Sequence, residues 1–393
     1  VPRPAWPPRT RAIEPALSMR AGSMQAGQVN SPHALQLPRR RMLQALALLP
    51  TLPWWAGALA STPPARRRGQ VVIDASRFGL LGDGRDDQTS ALQKAIDALP
   101  EAGGTVRVPA GRYLINPLRS LQLRDRMHLQ LDPDAWLIAI PNAAPRAYVL
   151  SLHGVEDVEV SGGHIYGERD RHRATTGEWG HGIMVRGAQR VTLRDLDIQR
   201  CWGDGISIGG ISGAQPQPSR DVLVADVVCH RNRRQGLTIG RSRQVQVLRS
   251  SFLDTGGVLP GCGIDVEPDP GDVAEDVLIQ ECLARGNHGA GVQLYTRSRK
   301  VQVRDCRLLA NRGAGLLLQD AQDCVIEGNE IRDNGLRGVS VHGRSNQVRL
   351  ARNVFSGNAP ALAKRARGER GWMQVDVARS ASAIHIDRSN QLP

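Results

Sequence analysis

Gly263-Ile264-Asp265-Val266, then Val277-Leu278-Ile279, then Cys282 and Ala284, then Gly291-Val292-Gln293-Leu294: one pattern closes here and begins again. A glycine leads a short strand that is apolar at its second and fourth positions. A second alternating strand follows, and then two small or apolar residues spaced by two. The glycine-led unit recurs at Gly182, Gly205, Gly236, Gly263, Gly291, Gly315 and Gly338, with spacings of 23, 31, 27, 28, 24 and 23 residues. The residues after the second strand align into columns. One column runs Leu196, Val227, Ser250, Cys282, Cys306, Asn329, Asn353, and the next runs Ile198, Cys229, Phe252, Ala284, Leu308, Ile331, Phe355. Like residues at one position per repeat are what stacked parallel strands demand, because each rung buries its inward side chains on the rung about 4.8 Å below. The spacing predicts an all-β chain folded as a right-handed parallel β-helix. The Leu-x-x-Leu-x-Leu signature of a leucine-rich repeat is missing, and the repeat is too short for a propeller blade.

Outward from the repeat, the ends need caps. Residues 89–99 show helical apolar spacing (Ala91, Leu92, Ala95, Ile96, Leu99) with Pro100 behind them, which predicts an N-terminal capping helix within a capping segment 70–115. The β-helix is expected over 61–358 and a C-terminal cap over 359–393, with strand patterns at 373–377 and 383–386. Residues 1–60 read as an N-terminal extension and a cleaved signal. Arg39-Arg40-Arg41-Met42-Leu43-Gln44 opens the apolar run 45–59, and Ala58-Leu59-Ala60 supplies small residues for cleavage. The paired arginines resemble a twin-arginine signal, so the expected location is periplasmic or secreted. No apolar run of about 18 residues occurs after this region, so no membrane span is expected.

All six cysteines follow residue 60, without a C-x-x-C spacing, which excludes a zinc ribbon. Cys282 and Cys306 share a column on neighbouring rungs. They are either within disulfide range or stacked as buried thiols. Of 51 basic residues only Lys94, Lys300 and Lys364 are lysines, and the formal charge is +13. Beyond residue 60 there remain 44 basic and 37 acidic residues. That modest excess suits an anionic polymer as one candidate partner. With aromatics at 4% and no recognition-helix pattern, nucleic acid is not expected.

The stretch Phe78-Gly79, Gly82-Asp83-Gly84-Arg85-Asp86-Asp87-Gln88-Thr89, Gly103-Gly104-Thr105-Val106 and Val108-Pro109-Ala110-Gly111 with Tyr113 resembles the leading segment of the pectate-lyase-like superfamily. That group includes rhamnogalacturonases, polygalacturonase-like hydrolases, mannuronan epimerases and phage tailspikes. The resemblance implies the fold and a polysaccharide ligand, and leaves the chemistry open. Asp204-Gly205 is similar to the Asn-Thr-Asp-Gly segment of the polygalacturonases. Their paired Asp is absent here, and Gln235-Gly236 stands where Gly-His-Gly belongs. Gly263-Ile-Asp265-Val-Glu267 is similar to the Gly-Phe-Asp-Pro-His of mannuronan epimerases, with Glu267 in place of the His.

Register along the glycine-led strands aligns Met184, Ser207, Thr238, Asp265 and Gln293 as outward residues, with Glu267 and Tyr295 two positions on. His181, Asp204 and Gln235 stand just before their glycines. Asp265 and Glu267 flank Val266, so both are expected to face outward, about 6.6–7 Å apart, within the range of inverting glycosidases. They are the expected acid/base pair, assisted by Asp204. His181, Trp179, Trp202, Arg234, Gln235, Gln293, Tyr295 and Arg297 are expected to line the groove, the tryptophans as sugar platforms. The longer repeats place extra residues at 209–219, 255–261 and 268–273, which would form one wall over adjacent rungs. With Asp269 the carboxylates are also candidate Ca²⁺ ligands; otherwise no cofactor or metal is expected. The expectation is an exported glycoside hydrolase. The alternatives are a uronate lyase or C5-epimerase, and a non-catalytic glycan-binding or tailspike-like protein, monomeric or homotrimeric.

Overall fold

Each turn of the chain lays down three short strands, and each strand pairs in parallel with its counterpart one turn earlier. The computed structural model describes residues 63–363 and 374–393; the expected leader over 1–60 and part of the expected C-terminal cap lie outside them. Among the described residues the strands form three parallel sheets of twelve, eleven and ten members. The ten-stranded sheet contains the glycine-led strands. Its register pairs Met184 with Ser207, Ser207 with Thr238, Thr238 with Asp265 and Asp265 with Gln293, as the repeat predicts.

The glycine column has a steric cause. A Cβ on Gly205, Gly236, Gly263, Gly291 or Gly315 would stand 2.5–2.8 Å from the carbonyl oxygen of the glycine on the next rung. The corners are made differently. Between the twelve- and eleven-stranded sheets one residue per rung turns the chain in the left-handed region: Asp195, Asp226, Arg249, Glu281, Asp305 and Arg352, with φ between 47° and 56°. Asp is tolerated there because its short side chain bonds locally.

Inside the coil the predicted columns are buried: Ile198, Cys229, Phe252, Ala284, Leu308, Ile331 and Phe355 all belong to one apolar core. At a second corner an asparagine stack closes each rung on the next. The Asn311 Oδ1 accepts from the Asn287 backbone N–H at 3.1 Å and from its Nδ2 at 2.9 Å. Asn311 and Asn334 repeat this, as do Asn334 and Asn358. Cys282 and Cys306 are buried free thiols.

The helix Thr89–Asp97 buries Leu92, Ala95 and Ile96 at the start of the coil. Near the other end, strand Ser382–Ile386 extends the twelve-stranded sheet and Val375–Val377 the ten-stranded one. No helix among the described residues is long and apolar enough to cross a membrane.

The three insertions do not stack into one wall. Residues 209–219 and 268–273 leave the ten-stranded sheet toward the twelve-stranded one, whereas 255–261 enters it from the eleven-stranded sheet. They therefore stand on opposite edges of one face. Arg241 ties the first two together: its Nη1 donates to the Ile211 carbonyl at 2.9 Å and its Nε to Asp272 at 2.6 Å.

Candidate functional site

The outer face of the ten-stranded sheet carries a charge cluster centred on Arg234. This guanidinium lies 3.2 Å from Asp204, touches Glu267, donates to Thr238 Oγ1 at 3.3 Å and approaches Glu178 at 3.9 Å. Burial opposes its charge, but Asp204, Glu267 and Asp265 outweigh burial and hold it protonated. Arg234 was expected only to line the groove; it is the hub of the site.

Asp265 leaves the strand outward, as its alternation with Ile264 and Val266 requires, but its neighbours cover it completely and it is 0% exposed. This corrects the expectation of an open carboxylate. Gln235 Nε2 donates to its Oδ2 at 2.7 Å, and Gln293 Nε2 donates to its Oδ1 at 3.0 Å. Burial and the neighbouring Glu267 raise its carboxyl well above the usual range, against the pull of Arg234 and the Gln293 hydrogen bond, so Asp265 holds a proton more tightly than an open carboxyl does. Gln235 and Gln293 thus hold Asp265 and do not line an open groove; both are buried.

Asp204 is also fully buried, and burial raises it while Arg234 opposes. Its backbone N–H donates to His181 Nδ1 at 2.9 Å. That bond leaves the imidazole proton on Nε2. Burial, then Arg234, push the ring well below its ordinary pKa, so His181 is neutral. It positions Asp204 and is too buried to meet a glycan.

Of the carboxyls paired with Arg234, two remain open to solvent. Glu267 is 23% exposed at its side chain and Glu178 29%. Burial raises Glu267, with Arg234 opposing. The two approach one guanidinium, Glu178 at Nε and Glu267 at Nη2. Glu178 was missed in the sequence. It directly precedes the Trp179-Gly180-His181 segment, but no periodicity marks it.

The aromatic expectations divide. Trp179 is 40% exposed, with Arg146 5.2 Å from its ring centre. Trp202 is buried, stacked on His172 at 3.9 Å with Arg233 3.6 Å over its ring, and is a packing residue. Tyr295 is 42% exposed one rung beyond Glu267, where its backbone N–H donates to the Val266 carbonyl. Arg297 is half-buried and donates to the Pro268 carbonyl at 2.7 Å. Among the described residues no group of three or more His, Cys, Asp or Glu side chains converges as a metal site would. The amide donors on both Asp265 oxygens fit a cation poorly.

Comparison with known proteins agrees with the coil. The right-handed β-helix region family matches residues 144–274 and 271–355, and the rhamnogalacturonase A/epimerase, pectate lyase-like family matches 72–151. The chain is 29% identical over 247 residues to the uncharacterized protein YclG of Bacillus subtilis, covering 56% of this chain and 42% of that one. It is 27% identical over 290 residues to mannuronan C5-epimerase AlgE3 of Azotobacter vinelandii, covering 68% of this chain and 14% of that one. The chain therefore spans less than half of either relative. Among solved structures, the A-module of the A. vinelandii mannuronan C-5 epimerase AlgE4 superposes with a TM-score of 0.58 at 18% identity, over 81% of this chain and 99% of that one.

Proposed function

Because the chain belongs to the right-handed β-helix family of pectate-lyase-like proteins, we propose that it is a polysaccharide-active glycoside hydrolase whose acid and base are Glu267 and Glu178. One observation carries this reading: two partly open carboxyls approach a single guanidinium, and a carboxyl pair is what acid/base cleavage of a glycosidic bond requires. Glu267, raised by burial, keeps a proton for the leaving oxygen. Glu178, the more open, takes a proton from the attacking water. The transition state of such a reaction gathers positive charge on the sugar. With Glu267 protonated, Asp204 and Glu178 together still exceed the single charge of Arg234, which favours that positive charge and disfavours an enolate anion. Asp265 touches no substrate. Its proton relieves the crowding of carboxylates beside Glu267, so it acts as a positioning residue. The leader-like segment 1–60 fits export to where such polymers are met.

Incubation with neutral and uronic acid polysaccharides, following reducing ends and ultraviolet absorbance together, tests the reading. Reducing ends without absorbance are expected. Both signals rising would make the protein a lyase and overturn hydrolysis. A second reading is C5-epimerisation, favoured by the named epimerase relatives and by Tyr295 and Arg297 one rung beyond Glu267. Its signature is a change in sugar configuration, read by NMR, at constant chain length. Binding without any turnover would leave the glycan-binding alternative.

A further inference from the structure

Residues 66–69 lie across the outer face of the twelve-stranded sheet, not on the ten-stranded face that holds Arg234. Strands of the twelve-stranded sheet turn Met127, Leu129, Val158, Val160, Val191 and Leu193 into the core. Alternation therefore turns His128, Glu159, Ser161 and Thr192 outward, and register places His128, Glu159 and Thr192 in one column on successive rungs. Outward polar residues are mostly open to water, yet these four are at most 7% exposed.

The chain ahead of the first strand runs over this column as a strap. The Gly69 N–H donates to the Ala102 carbonyl at 2.7 Å. Arg68 Nη1 donates to Glu159 Oε2 at 2.6 Å, and the Arg67 backbone N–H to Asp157 Oδ1 at 3.3 Å. Arg66 reaches farther along the coil. Its Nε donates to Thr192 Oγ1 at 2.9 Å, its Nη2 to the Val191 carbonyl at 2.9 Å and its Nη1 to Asp221 Oδ2 at 2.6 Å, and it is itself 6% exposed. Four consecutive residues thus bind rungs as far apart as those of Ala102 and Asp221.

Glu159 is the pivot of the strap. Its Oε2 takes Arg68, and its Oε1 takes Arg194 Nε at 2.8 Å. His128 Nε2 stands 3.7 Å from the same Oε1 and meets Ser161 Oγ at 2.8 Å instead. Burial holds the ring well below its ordinary 6.5; Glu159 opposes this, and Arg68, Arg194 and Arg107 add to it. These four charged groups face His128 from the strap and from the strands Glu156–Ser161, Gln189–Arg194 and Gly104–Val108. A protonated His128 would be a third cation around one buried carboxylate. His128 and Arg194 are fixed on rungs of the coil. Arg68 is carried by the strap, and its side chain already meets solvent.

We infer that residues 66–69 form an acid-released strap: when His128 takes up a proton, Arg68 gives up Glu159 and the chain ahead of Gly69 comes free of the coil. The strap lies on a different sheet from Glu178 and Glu267, so the inference stands whether or not the protein is a hydrolase. The sign follows from linkage. His128 binds its proton more tightly once Arg68 has left, so seating loses its advantage as pH falls below the ordinary histidine value of about 6.5. Asp157 and Glu159 hold the strap and are not the trigger. Burial works against their charge, but their cationic neighbours outweigh it and keep both below their ordinary values, ionised at pH 5.

The experiment places a nitroxide label on Arg67→Cys in the full chain and reads its mobility by electron paramagnetic resonance between pH 7.5 and pH 5. Residue 67 is exposed, and the six native cysteines are buried. The ratio of mobile to immobile label is expected to rise about tenfold or more as the pH falls. In His128→Gln, whose amide can still meet Ser161 but does not titrate, the ratio should stay within about twofold. Arg68→Gln alters only the strap. It should be looser at both ends of the pH range and lose the dependence between them. No rise in the labelled parent, the same rise in His128→Gln, or an undiminished rise in Arg68→Gln would overturn the strap switch. So would a rise accompanied by loss of the β signal in circular dichroism, which would place the change in the coil.

Discussion

Glu267 meets both solvent and Arg234, and Glu178 does the same from an earlier rung. Replacing either with Gln keeps the shape and removes the transferable proton, so turnover is expected to fall by about 10²–10⁴ while circular dichroism stays unchanged. Full activity in Glu267→Gln would remove it from the chemistry. Asp265 makes a different prediction. Burial raises its folded carboxyl well above the ordinary 3.8, to which the unfolded chain returns. Stability from this site is therefore present below the unfolded value and is lost as pH rises toward the folded one. Asp265→Asn removes that loss, and its amide oxygen still accepts from Gln235 and Gln293. The melting temperature of the variant relative to wild type should rise as pH climbs above about 4. A constant difference across that range would mean that Asp265 is ionised in the fold. At this scale, Asp204, Asp265, Glu267 and Arg234 were legible as outward or corner residues in one region. Their exposure was not, because a polar side chain on an outer face is covered or open according to neighbours 23 to 33 positions away in the chain.

The glycine-led strand, the asparagine stack and the insertions decide how rungs lie on one another. Asn311 is buried and bonds to Ala284, Asn287 and Asn334 at once. Truncating it to Ala strands several of these groups without water. Asn311→Ala is expected to destabilise the chain by about 2–4 kcal/mol, measured by denaturant unfolding. A loss below about 0.5 kcal/mol would show that water replaces the amide. The repeat periods exposed the strands and their register directly. The asparagine stack sits at a constant offset, four residues before the same glycines, and is equally readable. The insertions were visible as extra length. Which edge each one occupies depends on which strand pair it interrupts, and two of the three interrupt a different pair from the third.

Across the molecule the coil buries all six cysteines as free thiols. Burial pushes Cys324 up to about 12 and raises Cys201, Cys229, Cys262 and Cys306 as well, so none of these five presents a reactive thiolate in the fold. A thiol reagent should label almost none in the native protein and all six after unfolding without reductant. Four labelled thiols would instead indicate one disulfide, with the Cys282–Cys306 neighbours as its first candidates. The sequence by itself determined the coil: its period, its three strands per turn, its inward columns and the face on which polar groups gather. Those features repeat, and parallel stacking turns each repeat into a local rule. Only the tertiary structure decided which carboxyls stay open to solvent and that Arg234 gathers them. Those outcomes depend on single, non-repeating side chains brought together from different rungs, and no period along the chain records them.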